Sequence, residues 1–204
     1  MSVLSKETIC NFALNYLKED AIVSDIDTPI TTTERTFALH YDFQRELMLR
    51  LLVPSFAVDL VKAVKLAEPT TGFSSSFEYP TSALKVLGIG DIQDKRNNYS
   101  VSGGTINCDD PYPDGIPLRI ICNETDVSKF SPEFVELLAI KLALATCLKI
   151  TGNEKLLSYL LNLFPKQQRS LMAIDAQENM PIKIRRSRSK LSRVSSNTSL
   201  SVKK

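Results

Sequence analysis

The residue types that most often carry catalysis are scarce in this sequence and do not form a recognisable reaction site. His40 is the only histidine among 204 residues, so a Ser-His-Asp triad would have to be assembled around it. No G-x-S-x-G nucleophile turn supplies the serine. We therefore interpret His40 as a structural or surface residue, and we expect that the protein is not an enzyme.

Two glycine-containing segments share only part of the pattern of a ligand-binding loop. Gly88 and Gly90 stand in the string G-I-G-D-I-Q, which lacks the third glycine and the following helix of a dinucleotide loop. The segment 109–115, D-D-P-Y-P-D-G, lacks the alternating ligands and the terminal glutamate of a calcium loop, so we interpret it as a turn. A G-K-[ST] phosphate motif is also missing. We expect no cofactor.

The four cysteines are far apart in the sequence and form no C-x-x-C pair, which argues against a zinc or redox motif. They are Cys10, Cys108, Cys122 and Cys147. Cys10 and Cys147 lie within apolar helical patterns, where a free cysteine behaves as a small hydrophobic residue. We expect structural thiols and no metal site.

The most informative polar feature is a basic C-terminal segment. Residues 181–204 hold eight lysines and arginines and no acid, which leaves 17 basic against 23 acidic residues in 1–180. The formal net charge of +2 thus combines a body at −6 with a tail at +8. Few large apolar residues follow Pro181, so this tail cannot offset its ordering entropy alone. It could contact nucleic-acid phosphates, dock on an acidic protein surface, or remain a solvated end.

Helical patterns precede the middle of the chain. Ser5 is the expected N-cap of a first helix whose apolar face comprises Ile9, Phe12, Ala13, Tyr16 and Leu17. Thr31-Thr32-Thr33 offers caps for a second helix that runs to about Leu52, before Pro54. Its predicted apolar stripe is Phe37, Tyr41, Met48 and Leu52, broadened by Leu47 and Leu51, with Glu34, Asp42, Glu46, Arg35, Arg45 and Arg50 outside it. The period of residues 56–67 fits either a strand or a short helix.

Helical patterns return after the middle of the chain. Ser131 followed by Pro132 and an acid predicts the start of a third helix, and Gly152 predicts its left-handed end. This helix is apolar on most sides, so we expect it at the centre of the helical body. Asn153 should cap a fourth helix, which Pro165 is expected to kink or split.

Residues 68–126 contain six of the seven glycines and predict a small sheet. Short β-prone runs occupy 73–79, 84–89, 99–106 and 118–122, and Gly103-Gly104 is a natural hairpin turn. The sequence therefore predicts an α+β fold, mainly α, with a four-helix bundle-like body, an inserted small β-hairpin domain and an extended basic tail. The expected ranges are 1–67 and 127–180 for the two halves of the helical body, 68–126 for the insertion, and 181–204 for the tail.

Several strings, taken in order, resemble a known family. I-C-N-F-A-L at 9–14, R-E-L-M-L-R at 45–50, F-E-Y-P with L-K-V-L at 77–87, F-S-P-E-F-V-E-L-L-A at 130–139, T-G at 151–152 and A-I-D-A-Q-E at 173–178 are similar to strings of the tail tubular protein A-like head–tail adaptors of short-tailed bacteriophages. The resemblance covers about residues 5–180. Pro54 and Ser82 depart from it, replacing a tryptophan and an aspartate of the family pattern.

The resemblance implies a structural protein of the virion, made in the host cytoplasm. It implies a homo-oligomeric ring of about twelve copies, which lies between the portal protein and the tail nozzle protein and continues the channel for double-stranded DNA. A tail fibre is a further candidate partner. Because family adaptors insert a C-terminal extension into the portal, we hypothesise that the tail's basic residues dock there: Arg185, Arg186, Arg188, Lys190 and Arg193.

The alternative is a DNA-binding or packaging accessory protein that uses the same tail on nucleic acid. The absence of aromatic residues between the basic ones argues against binding to single strands. A stretch of about 18 apolar residues, as a membrane span needs, does not occur, and residues 1–7 lack the layout of a secretory signal. We expect no membrane partner.

Overall fold

The computed structural model describes residues 4–70, 72–89, 99–109 and 112–178, and about 51% of these residues are helical. They form four α-helices and two small three-stranded antiparallel sheets. The helices are α1 (Lys6–Leu17), α2 (Thr32–Leu52), α3 (Pro132–Ile150) and α4 (Glu154–Glu178). The strands are β1 (Val58–Ala63), β2 (Ser75–Glu78), β3 (Ala83–Ile89), β4 (Tyr99–Ser102), β5 (Thr105–Cys108) and β6 (Ile116–Cys122).

Side-chain caps start the helices where the sequence predicts them. The Ser5 Oγ accepts a hydrogen bond from the backbone N–H of Thr8, and the Ser131 Oγ accepts one from Phe134. The Asn153 side chain accepts from two backbone N–H groups in the first turn of α4. Each cap satisfies a donor that the helix itself leaves without a partner. Gly152, with φ +63°, follows the end of α3 as predicted.

Helix α3 is the centre of the helical layer, as its apolar sequence predicts. It contacts α1, α2 and α4, and ten of its residues are buried. They include Phe134, Leu138 and Leu142, each with no solvent-exposed surface. Full burial of such a side chain contributes about 1.5–3 kcal/mol, so contacts with α3 supply much of the stabilisation of the other three helices.

Three features of the helices differ from the predictions. Helix α4 continues without a break past Pro165, so the expected split there is wrong. In α2, Leu51 is mostly exposed and does not broaden the buried stripe, because α3 covers only one side of the helix. Glu34 and Arg45 were expected outside the buried stripe, but both are buried by polar contacts.

The strands form two sheets, with the orders β1-β6-β3 and β2-β5-β4. The predicted β-prone runs become β2 to β6, and Gly103-Gly104 forms the turn between β4 and β5 as expected. Residues 56–67, which the sequence left open, supply the end of a 3-10 turn (Ser55–Ala57) and then β1. Because β1 pairs along its whole length with β6, the first sheet includes a strand from before residue 68.

A second, smaller core accompanies the two sheets. Eight buried side chains form it: Ala63, Phe77, Ile89, Ile106, Cys108, Ile116, Leu118 and Ile120. A bridge between Lys65 and Phe77 joins the chain just after β1 to the second sheet. Since this core draws on both sheets, the strands pack as one unit beside the larger helical core.

Candidate functional site

The sequence-based site lies outside the described residues. Arg185, Arg186, Arg188, Lys190 and Arg193 all follow Glu178, where helix α4 ends. The described residues contain the helix that leads to this tail and several exposed surfaces that could contact other proteins.

One such surface is a groove of about 580 Å³ between α1 and the start of α3, called the apolar groove below. Its lining is mainly apolar: Leu4, Phe12, Tyr16, Phe130, Pro132 and Val135, together with Asn15 and Glu136. The volume lies within the range of natural binding clefts. The groove could therefore hold apolar side chains.

Glu136 is the carboxylate of the apolar groove, and its hydrogen-bond donors are neutral. Its Oε1 accepts from the Tyr16 hydroxyl at 3.0 Å and from the Gln167 side chain at 3.2 Å. Burial, followed by the bond to Glu136, raises the pKa of Tyr16 to about 12, so its hydroxyl remains protonated and donates at neutral pH. The exposed Glu136 carboxylate is therefore held in place by two neutral donors.

Aromatic packing fixes one wall of the groove. The Phe130 ring lies 5.2 Å from that of Phe134 and 5.5 Å from that of Phe56, measured between centroids. Phe56 and Phe134 meet edge to face at 5.1 Å. Such pairs prefer tilted geometries and add about 0.5–1.5 kcal/mol beyond their burial. This wall is consequently preformed.

The second surface is an apolar face of α2, called the outer stripe below, which consists of Leu39, Phe43 and Leu51. Their exposed fractions are 71%, 64% and 63%. The spacing of four and eight residues places them along one side of the helix. Arg35 precedes the stripe by one turn, and Arg50 lies beside its far end; both are exposed. Leu39 and Phe43 were not predicted to form an exposed face, although they stand four residues apart in the sequence, and Leu51 was expected in the buried stripe.

Helix α4 has an exposed apolar side of its own. Leu161 and Met172 are both exposed and eleven residues apart, which places them on the same side after about three turns. Pro165, also exposed, lies one turn after Leu161 on that side. A third contact surface of the subunit is therefore available along the helix that leads to the basic tail.

The end of α4 is attached to the junction between the helical layer and the sheets. The Asp175 Oδ1 accepts from the backbone N–H of Ser55 at 3.0 Å and from its hydroxyl at 2.7 Å. Ser55 begins the 3-10 turn between α2 and β1. This attachment holds the last turn of α4, which ends at Glu178 three residues later.

A buried carboxylate orders the loop before α2. Glu34 accepts backbone hydrogen bonds from Ser24 at 3.1 Å, Ile30 at 3.0 Å and Thr31 at 2.9 Å. Those bonds lower its pKa to about 2, because they favour the charged form. In return, the Thr31 Oγ1 accepts from the Glu34 N–H, which completes a capping box.

The groups considered for chemistry do not come together in the described part of the chain. His40 is half-buried on α2, and the described residues contain no cluster of three or more metal-ligating side chains. None of the four cysteines forms a disulfide, and burial raises the pKa of Cys10 far above its ordinary value. Gly88 lies in β3, whereas Gly90 and part of segment 109–115 fall outside the described residues. Within those residues, no helix is long and apolar enough to cross a membrane.

No protein-family model matches this sequence, and no curated protein is similar enough to count as a match.

Proposed function

We propose that this chain is a structural adaptor of the head-to-tail connector of a short-tailed bacteriophage. In this proposal, about twelve copies form a ring between the portal and the nozzle and continue the DNA channel of the virion. The observation that carries the proposal is that a single subunit exposes both the apolar groove and the outer stripe of α2. Exposed apolar surfaces of this kind typically mark protein–protein contacts.

The proposal also assigns separate roles to the helices and the sheets. The four helices would act as one bundle-like body, because α3 contacts each of the others. The sheets would form an inserted hairpin domain that faces the nozzle or a tail fibre. Their own core, separate from the larger helical core, supports this division of roles.

Charge supports the role of a conduit. Residues 1–180 carry a net charge of −6, with 17 basic and 23 acidic residues. A negatively charged channel repels phosphate and lets DNA pass without adhering to the wall. The basic tail needs a negatively charged partner, and docking on an acidic portal surface would neutralise its positive charge. The Asp175–Ser55 attachment would then direct the tail toward the portal from a fixed point on the body.

The test is to mix the purified full-length protein with the portal protein of the same phage and image the complex. We expect a ring seated on the portal. Deleting residues 182–204, or replacing Arg185, Arg186, Arg188, Lys190 and Arg193 together by alanine, should abolish binding while the body still folds. The matched control is Lys203→Ala with Lys204→Ala, which removes tail charge outside the proposed docking cluster. Normal portal binding by the truncated protein would show that the tail does not dock there.

The second candidate is a DNA-binding or packaging accessory protein. The observation that favours it is the concentration of eight basic residues and no acid in the tail. This function predicts DNA binding by the isolated protein that weakens steeply with salt and strengthens with DNA length. The adaptor function predicts weak DNA binding and a ring that forms with the portal, so the two measurements separate the candidates.

A further inference from the structure

We propose that the outer stripe of α2 in one copy occupies the apolar groove of the next copy. This inference rests on the proposed function, because it names the surfaces through which subunits of the ring would meet. The occupant is thus a second copy of this chain, and the contact is one helix lying in a groove.

The two surfaces match in polarity and form. Leu39 and Phe43, one turn apart, project side by side, which suits a groove walled by other apolar side chains. Phe12, itself partly exposed at the groove, offers an aromatic surface to them. Each surface leaves apolar area in water in the single subunit, and burying one against the other removes both areas together.

The outer stripe and the apolar groove also carry complementary charges. The exposed Arg35 and Arg50 lie along α2 on either side of the Leu39–Phe43 pair. The apolar groove carries the carboxylate of Glu136, whose bonds to Tyr16 and Gln167 are both with neutral donors. An arginine beside this carboxylate would form a charge-assisted pair at the rim of the contact. Such pairs chiefly set the register and exclude wrong partners.

Because the contact joins two unlike surfaces, it determines which kind of oligomer forms. The groove belongs to α1 and α3, whereas the stripe belongs to α2, so the two surfaces are unlike. Each copy therefore offers one surface forward and another backward, a heterologous contact that continues until a ring closes. A contact between two identical surfaces would stop at a dimer instead.

Disulfide trapping tests the pairing directly in the full-length protein, in a Cys122→Ser background. Phe12→Cys places a thiol in the groove, and Phe43→Cys places one on the stripe. We expect a cross-linked dimer when the two single variants are mixed, and a ladder of larger products from the double variant. A dimer formed by either single variant alone, or no product in the mixture, would overturn the pairing.

Charge reversal supplies an independent test by exchange of partners. Arg50→Glu and Glu136→Arg should each weaken self-association at least tenfold, because each faces a like charge in the next copy. Mixing the two variants should restore association, since each contact between one variant and the other joins opposite charges. The matched control is Lys149→Glu, an exposed reversal at the end of α3 outside both surfaces, which should have no effect. Failure of the mixture to recover would contradict the pairing.

These outcomes distinguish the inference from the proposed function. If the wild-type protein forms a ring on the portal but the trapped pair does not form, the ring uses other surfaces and only the inference is wrong. If the pair is trapped but no ring assembles on the portal, the adaptor function is wrong.

Discussion

The guanidinium of Arg45, in the middle of α2, donates to the Asn123 side chain at 2.7 Å, just past the end of β6. The same nitrogen donates to the backbone carbonyl of Glu124, and the second nitrogen lies 3.3 Å from Asp42. Only 3% of Arg45 is exposed. This side chain therefore connects the helical layer to the first sheet across 78 positions of sequence.

Replacing Arg45 by alanine should lower the free energy of unfolding by about 1–3 kcal/mol, because the Asn123 side chain and the Glu124 carbonyl lose their buried donor. Urea unfolding at neutral pH measures the change. Arg45→Lys should be nearly as harmful, since an ammonium group cannot reproduce the fork of the guanidinium. Arg169→Ala, an exposed arginine change on α4, is the control and should stay within about 0.5 kcal/mol. An Arg45→Ala protein as stable as the control would show that the connection is not needed.

Glu34→Gln should reduce the dependence of stability on acid. In the folded protein the pKa of Glu34 is about 2, below its ordinary value of 4.5. The unfolded state therefore binds the proton more readily, so the contribution of Glu34 is complete above about pH 4.5 and disappears as the pH falls through about 2. Urea unfolding at several pH values should show a wild-type advantage over Glu34→Gln at neutral pH that shrinks across this range.

The control for the substitution is Glu154→Gln, an exposed change in the first turn of α4. At neutral pH it should change the free energy of unfolding by no more than about 0.5 kcal/mol, because its exposed side chain does not bridge a loop as that of Glu34 does. A wild-type advantage over Glu34→Gln that is equally large at pH 2 and pH 7 would contradict the proposed role of the charged carboxylate.

Local patterns predicted most of the elements, because caps and turns depend on neighbouring residues. Ser5, Ser131, Gly152 and the Gly103-Gly104 turn all lie where the sequence places them. The pairing of β1 with β6 was not predictable in this way, since Val58 and Ile121 meet only in the folded chain.

The surfaces were harder to predict than the elements. The sequence pattern predicts an ordinary exposed charge at Arg45, because its partner Asn123 is far away in the sequence. Leu51 reads as core, because an apolar residue near a buried stripe has the same pattern whether or not a neighbour covers it. Phe12 and Phe43 likewise become candidates for a contact between copies only because they are exposed in the folded subunit. The basic tail, by contrast, is evident from composition alone.

Gly115→Ala should destabilise the protein strongly through the backbone at the start of β6. Gly115 has φ +103°, and an added Cβ would lie 2.6 Å from the carbonyl oxygen of Ala63. The methyl group would have to displace β1 or the turn, so we expect a loss of roughly 1–3 kcal/mol in the free energy of unfolding. Gly103→Ala is the matched control: it also has positive φ, but nothing lies within 4 Å of the added atom. Thermal unfolding that ranks Gly103→Ala as the more damaging change would contradict the close approach.

Pro165→Ala should stabilise the isolated subunit. Pro165 stands inside α4 with its ring exposed, and without an N–H it cannot donate to the carbonyl of Leu161. Alanine restores that hydrogen bond and removes an unfavourable helix residue, for a gain of up to about 3 kcal/mol in the free energy of unfolding. Thermal unfolding measures the gain, and Ser170→Ala, another exposed change on α4, is the control for helix propensity alone. A lower melting temperature for Pro165→Ala than for the wild type would mean that α4 needs the local geometry of proline to pack on α3.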